Sequence, residues 1–230
     1  SASPSGRGAD VRAAVCPEYG PPEVVHVEEV PSPEVGPGQV RVRVHVAALN
    51  FPDVLLVANQ YQMTVPTPFV PGSEFAGVVA EVADDVGSFA VGDAVAVTAL
   101  VGASAEEIAV DARSLWKIPE ALDERVAAAA GVAHKTAYHV LRSVAGLQPG
   151  EQLVVLGAGG GVGSAAVQLG AVMGAEVTAV ASSQEKLDVA AERGATHLID
   201  HTQVDRREAL RAAVPGGADV VVGPVGGSLA

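Results

Sequence analysis

The sequence predicts an α/β protein in which a small β-barrel domain is followed by a doubly wound parallel sheet. Two features of the chain indicate this fold class. The first half contains short alternating strands separated by turn residues, whereas the second half alternates strands with helical segments. A glycine-rich run over residues 157–163 lies between an apolar strand and a helix, as in nucleotide-binding βαβ units. We therefore expect two domains of different architecture.

The first domain is predicted over residues 11–121. Residues 1–10 are small and polar and do not begin with methionine, so we treat them as a tail or cloning remnant. Residues 39–46 alternate strictly, with valines on one face, which is typical of a half-buried strand. Residues 74–82 and 93–100 predict further strands, with glycine, proline and aspartate at the turns. Short strands of this kind predict a small barrel.

The second domain is predicted over residues 122–230, with the boundary near residues 119–123. Residues 123–145 are rich in alanine at helical spacing, and a strand, glycine loop, helix and strand follow as a βαβ unit. An apolar strand at residues 219–222 would be the fourth in a sheet of order 3-2-1-4-5-6. Because two more strands should follow it, we expect the domain to be incomplete at its C-terminal end.

The glycine-rich loop is the strongest indication of a ligand. Glycines let the backbone approach a pyrophosphate, and the free N–H groups at a helix N-terminus attract its negative charge. A flexible turn would also be rich in glycine, but the helix and second strand that follow favour nucleotide binding. The candidate cofactor-binding residues in the loop are Gly157, Gly160, Gly161, Val162 and Gly163.

The end of the second βαβ strand indicates which cofactor is bound. A carboxylate at that point would bind a ribose 2′-hydroxyl, whereas a 2′-phosphate needs hydrogen-bond donors and cations. The chain has Ser182, Ser183 and Lys186 there, and we therefore predict NADPH rather than NADH. Ser182 could also cap the next helix, with Glu185 completing a capping box, and the two roles are compatible.

The composition excludes several classes of partner. The 230 residues carry a net charge of −13, and 49% of them are hydrophobic, which suits globular domains with substantial cores. The acidic balance disfavours nucleic acids and anionic membrane surfaces. No apolar run is long enough to cross a bilayer, and the single cysteine, Cys16, lies in an apolar stretch and is expected in a core. We expect a soluble, cytoplasmic protein.

Four strings in the chain resemble the medium-chain dehydrogenase/reductase superfamily, and within it the zinc-independent quinone oxidoreductases related to zeta-crystallin. The strings are ALNFPDVL at residues 48–55, PGSEFAGVV at residues 71–79, VGD at residues 91–93, and LQPGE at residues 147–151. The resemblance implies a GroES-like β-barrel catalytic domain followed by a Rossmann domain. It also implies a small-molecule substrate and a homodimer.

The positions that hold catalytic zinc in the related zinc alcohol dehydrogenases carry other residues here. Where those enzymes have a cysteine, this chain has Asn50-Phe51, and their Gly-His-Glu string corresponds to Gly72-Ser73-Glu74. A structural zinc lobe needs four cysteines and the chain has one, so thiolate-rich zinc sites are excluded. Without a metal, we expect hydride transfer to an acceptor that takes it readily, such as a quinone or an α,β-unsaturated carbonyl.

By resemblance, Asn50, Asp53 and Tyr61 line the substrate cleft, and Thr136 reaches the nicotinamide side of the cofactor. Other roles are open for three of them, since Asn50 and Asp53 could cap a helix and Tyr61 could be a packed loop aromatic. A departure from the family pattern adds a fourth catalytic candidate, because His134 and Lys135 stand where relatives have tyrosine and glycine. We hypothesise that His134 donates a hydrogen bond or proton to the reduced acceptor, or that it only fills the space of the tyrosine.

Two further functions are compatible with the sequence. One is an enoyl reductase acting on thioesters, either freestanding or excised from a polyketide synthase. The other is a non-catalytic protein that binds nucleotide or serves a structural role, as zeta-crystallin does.

Overall fold

The computed structural model describes residues 10–223, and the chain forms two compact units. The first unit extends to Val132 and the second begins at Ala133. This division lies inside a helix, α2, which spans Glu124–Tyr138. The predicted domain boundary near residues 119–123 precedes that helix and stays a prediction. Asp10, the last residue of the predicted tail, already belongs to a strand, and the rest of the tail lies outside the described residues.

The first unit contains a two-stranded and a five-stranded antiparallel sheet. The elements are β1 (Asp10–Val15), β2 (His26–Pro31), β3 (Gln39–Ala48), α1 (Phe51–Val57), β4 (Glu74–Val82), β5 (Ala94–Thr98), β6 (Glu107–Asp111) and β7 (Leu115–Lys117). The strands of the larger sheet run in the order β6-β3-β4-β5-β7, and the short helix α1 follows β3.

The alternating pattern of β3 explains the core of the first unit. Val40 and Val42 are fully buried, and Val42 lies opposite Val79 of β4. The register between β3 and β4 shifts twice. The two backbones approach each other closely at Gly77, where an added Cβ would lie only 2.0 Å from the Arg43 carbonyl oxygen. Such irregularities bend a sheet, which lets this one curl as the predicted barrel requires.

The second unit contains a four-stranded parallel sheet of order β10-β9-β8-β11. This order confirms the prediction that the strand at residues 219–222 is the fourth, beside the first strand of the βαβ unit. Helix α2 leads into a π-helical stretch, His139–Val144, within the helix predicted over residues 123–145. The other elements are β8 (Gln152–Leu156), α3 (Gly161–Val172), β9 (Glu176–Ala181), α4 (Gln184–Glu192), β10 (His197–Asp200), α5 (Arg206–Ala213) and β11 (Val220–Val222).

Apolar clusters cover both faces of the parallel sheet. Leu153 and Val155 of β8 face a cluster that includes Val167 of α3. Val154, between them, faces the opposite cluster, to which Leu210 of α5 contributes. A strand buried on both faces is typical of doubly wound folds. No helix within residues 10–223 combines the length and apolarity that are needed to span a bilayer.

Candidate functional site

The glycine-rich loop connects β8 to α3 in the second unit. Gly157 has a φ of +70°, and a Cβ on Gly163 would lie 2.2 Å from the Gly157 carbonyl oxygen. Both positions therefore require glycine. Helix α3 starts at Gly161, and the hydrogen bond from Ser164 N to Gly160 O, at 2.8 Å, closes its first turn. The N–H groups of the three residues before Ser164 thus have no partner within the helix.

This loop has the features that a dinucleotide pyrophosphate needs. Gly159, Gly160 and Gly161 are exposed, whereas Val162 packs against the core and holds the helix start in place. Exposed N–H groups at the beginning of a helix attract phosphate oxygens through both hydrogen bonds and the helix dipole. The residues present therefore fit a NAD(P) cofactor.

Lys186 is the predicted 2′-phosphate residue that contacts both this loop and a second predicted residue, Ser182. Lys186 Nζ donates to Ser182 Oγ at 3.1 Å, and the Lys186 side chain crosses the loop so closely that a Cβ on Gly159 would lie 2.6 Å from its Cδ. The capping alternative for Ser182 and Glu185 is wrong. The chain turns one residue later, so that Ser183 is the N-cap of α4, and its side chain makes no capping hydrogen bond.

A contact between α3 and α4 gave no signal in the sequence. Arg193, which directly follows α4, donates from Nη1 to Ser164 Oγ on α3. Ser164 is buried and lies one residue after the glycine-rich run. The arginine therefore links the end of α4 to the start of α3, beside the candidate cofactor site. No sequence motif contains both Arg193 and Ser164.

His134 is half-buried on α2, and its Nε2 lies 3.2 Å from Gln168 Oε1 on α3. The other ring nitrogen, Nδ1, is buried and has no hydrogen-bond partner among the described residues. Thr136 lies on the same helix and is exposed. The structure thus shows what holds the His134 ring, and the roles of both residues toward substrate and cofactor stay predictions.

In the first unit, Asn50 and Asp53 meet at the start of α1. Asn50 is the N-cap of this helix and forms a capping box with Asp53, whose Oδ2 accepts from Asn50 N at 2.8 Å. The side chain of Asn50 donates from Nδ2 to Glu74 Oε1 at 2.9 Å and to Ser73 Oγ at 3.4 Å. The capping alternative is therefore confirmed for these two residues, which also belong to a buried polar cluster.

Asp53 is a buried residue with a relative exposure of 5%. Burial raises its pKa, and hydrogen bonding to the Asn50 backbone and the Ser73 side chain offsets part of that rise. Its Oδ1 atom makes no hydrogen bond of ordinary geometry with any described residue. A carboxyl group with a raised pKa and an unsatisfied oxygen is suited to hold or transfer a proton.

Tyr61 packs in an apolar part of the first unit. Its ring contacts a cluster that contains Cys16, Leu56 and Phe69, and Leu56 is a buried residue of α1. This packing supports the alternative of a packed loop aromatic. The prediction that Cys16 lies in a core is confirmed, since it is fully buried.

Ser73 and Glu74 gain a role that the sequence did not reveal. In the sequence they mark only the absence of a zinc-binding histidine, but in the structure both accept hydrogen bonds from Asn50. Only their position in the sequence could have indicated this contact. Ser73 and Glu74 stand at the start of β4, which pairs with the end of β3, just before Asn50. Within residues 10–223, no three histidine, cysteine, aspartate or glutamate side chains converge on a position that could hold a metal ion.

Comparison with known proteins defines the class to which this fold and site belong. Residues 36–120 match the alcohol dehydrogenase GroES-like domain, and residues 161–230 match the zinc-binding dehydrogenase family. The solved structure of a probable oxidoreductase from Mycobacterium abscessus is 34% identical with a TM-score of 0.88, and the match covers 96% of this chain and 70% of that one. The predicted fold class is confirmed, and the chain belongs to the medium-chain dehydrogenase/reductase superfamily.

Two of the similar proteins carry quinone oxidoreductase names. The quinone oxidoreductase-like protein 2 homolog of Nematostella vectensis is 41% identical over 229 residues, which are 98% of this chain and 62% of that protein. The quinone oxidoreductase of Thermus thermophilus, solved also as its complex with NADPH, is 35% identical with a TM-score of 0.79, covering 91% of this chain and 65% of that one. The chain is similar to both proteins over nearly all of its own length, and it spans 62% of the length of the Nematostella relative.

Proposed function

We propose that this chain is part of an NADPH-dependent oxidoreductase that reduces a quinone or a similar α,β-unsaturated carbonyl without a metal. The main observation behind this proposal is the position of Lys186, which donates a hydrogen bond to Ser182 and packs across Gly159 of the glycine-rich loop. An ammonium group beside a hydroxyl provides the charge and the donors that a phosphate requires. A cation placed at the end of the second βαβ strand therefore favours a 2′-phosphate over a free 2′-hydroxyl.

Each part of the second unit has a defined task in this proposal. The free N–H groups at the start of α3 bind the pyrophosphate, and Lys186 with its two neighbouring serines binds the 2′-phosphate. Thr136 is assigned to the nicotinamide side. When bound, NADPH supplies the hydride. The cofactor-binding residues proposed are Thr136, Gly157, Gly160, Gly161, Val162, Gly163, Ser182, Ser183 and Lys186.

The N-terminus of α1 is proposed as the place where the acceptor binds. A carbonyl that receives hydride gains negative charge on its oxygen and then takes up a proton. Asp53 combines a raised pKa with an unsatisfied oxygen, so it is suited to that proton transfer. Asn50 orients the acceptor beside it. Tyr61 and His134 complete the proposed catalytic set, with His134 as an additional donor.

Steady-state assays test this proposal. The whole protein is given NADPH and either a benzoquinone or an enoyl thioester, and oxidation of NADPH is followed by absorbance. We expect turnover with the quinone, and the Asp53→Asn variant should lose at least about tenfold in kcat because general acid catalysis contributes that much or more. Turnover with the thioester alone would indicate an enoyl reductase instead. No turnover with either would favour the non-catalytic alternative.

Two properties of the whole protein are also proposed, the first on the resemblance and the second on the composition of the chain. These are a homodimer and a cytoplasmic location. Sedimentation equilibrium measures the first, and a mass of one chain at micromolar concentration would contradict it. Fractionation of the source cells measures the second, and recovery with membranes would contradict it.

A further inference from the structure

Glu74 is a buried carboxylate that none of the proposed catalytic steps uses. Its residue is 2% exposed, and it begins β4, the central strand of the five-stranded sheet. In register it lies between Ala48 of β3 and Thr98 of β5. A buried charge is costly unless hydrogen bonds compensate it, so its partners indicate why it is present.

Both oxygens of Glu74 accept a hydrogen bond. Oε1 accepts from the Asn50 side chain at 2.9 Å, and Oε2 accepts from the backbone N–H of Val132 at 2.7 Å. One carboxylate thus connects the N-cap of α1 to the backbone of α2. The Asn50 amide turns its NH₂ group toward Glu74, whose oxygen accepts.

Helix α2 lies close to the Glu74 carboxyl group at Gly131. A Cβ on Gly131 would lie 2.8 Å from Glu74 Oε2 and 2.3 Å from Thr98 Oγ1. Glycine at this position of α2 is less favourable for helix stability than alanine. Its presence permits the backbone of α2 to reach the carboxylate.

We propose that Glu74 is a positioning residue that fixes the orientation of the Asn50 side chain for acceptor binding. This inference rests on the proposed function, in which Asn50 orients the acceptor. Asn50 also donates its backbone N–H to Asp53, so the carboxylate of Glu74 supports the arrangement of both candidate residues. Glu74 acts through Asn50 and touches neither hydride nor acceptor.

The Glu74→Gln variant tests this role, because a glutamine places an N–H group opposite one of the two donors. We expect kcat with a quinone to fall about tenfold, as small misplacements of reacting groups cost that much, while the Kd of NADPH measured by calorimetry stays within about twofold. Glu81→Gln is the matched control. It makes the same change on the same strand, at a half-exposed carboxylate that pairs with Arg41, and kcat should not change.

Coupling to Asn50 is measured in a double mutant. If Glu74 acts through Asn50, adding Glu74→Gln to Asn50→Ala should lower kcat no further. An equal loss in both backgrounds, or an Asn50→Ala variant with unchanged kcat, would overturn the inference. Gly131→Ala provides a second perturbation, since it displaces the carboxylate without removing it, and it should also lower kcat. Thermal unfolding of each variant identifies any that fail to fold.

A readout independent of catalysis separates this inference from the proposed function. The two side-chain amide protons of Asn50 are followed by NMR in the wild type and in Glu74→Gln. We expect the shift of the bonded proton to change and its exchange with water to accelerate. Unchanged amide signals would overturn the role of Glu74 even in an active enzyme. Absence of turnover in a wild type with a protected Asn50 amide would instead overturn the proposed function.

Discussion

Reversing the charge of Lys186 is the perturbation that most directly tests cofactor selection. Lys186 places its ammonium 3.1 Å from the Ser182 hydroxyl and carries its side chain across Gly159. A hydrogen bond to a charged group contributes about 1.5–3 kcal/mol, but Lys186 is exposed and solvent screens it. We therefore take the lower end of that range, which corresponds to about tenfold in Kd. Lys186→Glu also introduces repulsion, so the Kd of NADPH should rise by about tenfold or more, and that of NADH by less than about threefold.

Isothermal titration calorimetry with both cofactors measures these constants. The matched control is Arg211→Glu, which changes net charge by the same amount at an exposed position on α5 and should leave the ratio of the two constants unchanged. Raising the salt concentration from about 0.1 M to about 1 M should reduce the effect of Lys186→Glu, because the Debye length falls from about 10 Å to about 3 Å. Equal weakening of NADPH and NADH would refute the assignment of Lys186 to the 2′-phosphate.

Three further predictions concern single residues. His134→Phe should lower kcat with a quinone, because it removes the donor, and unchanged turnover would exclude a donor role. Because burial raises the pKa of Asp53, folding favours its protonated form. The free energy of unfolding of the wild type should therefore fall relative to that of Asp53→Asn as pH rises through that pKa. Urea unfolding between pH of about 3 and about 7 measures this difference, and a wild type that gains stability relative to the variant over that range would contradict the raised pKa. Gly163→Ala should lower the free energy of unfolding by about 1–3 kcal/mol, since its Cβ would lie 2.2 Å from Gly157 O. Gly160→Ala is its control, because there the same contact would be 3.5 Å, and equal destabilisation would contradict the geometry.

The elements that follow from local patterns were predictable from the sequence. The strand expected at residues 74–82 coincides with β4, and the second strand of the predicted βαβ unit is β9. Apolar and β-branched residues between turns fit the half-buried surface of a sheet. The glycine run predicted the start of α3. Gly157 has a positive φ, and Gly163 lies too close to the Gly157 carbonyl oxygen for any larger residue. The topology rule for nucleotide-binding sheets then placed β11 correctly.

The contacts that assemble the candidate site were not predictable. Asn50 and Glu74 are separated by 24 positions, and only the register of β3 against β4 brings them together. Whether Ser182 or Ser183 is the N-cap of α4 depends on where the chain turns after β9. The two possibilities differ by one residue, and neighbouring serines give no sequence signal that distinguishes them. The packing of Lys186 on Gly159 and the bond from Arg193 to Ser164 likewise arise from tertiary structure.

Turnover of a quinone by the whole protein after treatment with a chelator tests the central claim most directly. Oxidation of NADPH and of NADH is followed with the same quinone and at the same cofactor concentrations. We expect the chelator to leave kcat unchanged and kcat/KM to be at least about tenfold higher with NADPH. Loss of activity that added zinc restores, or a preference for NADH, would contradict a metal-independent reductase specific for NADPH.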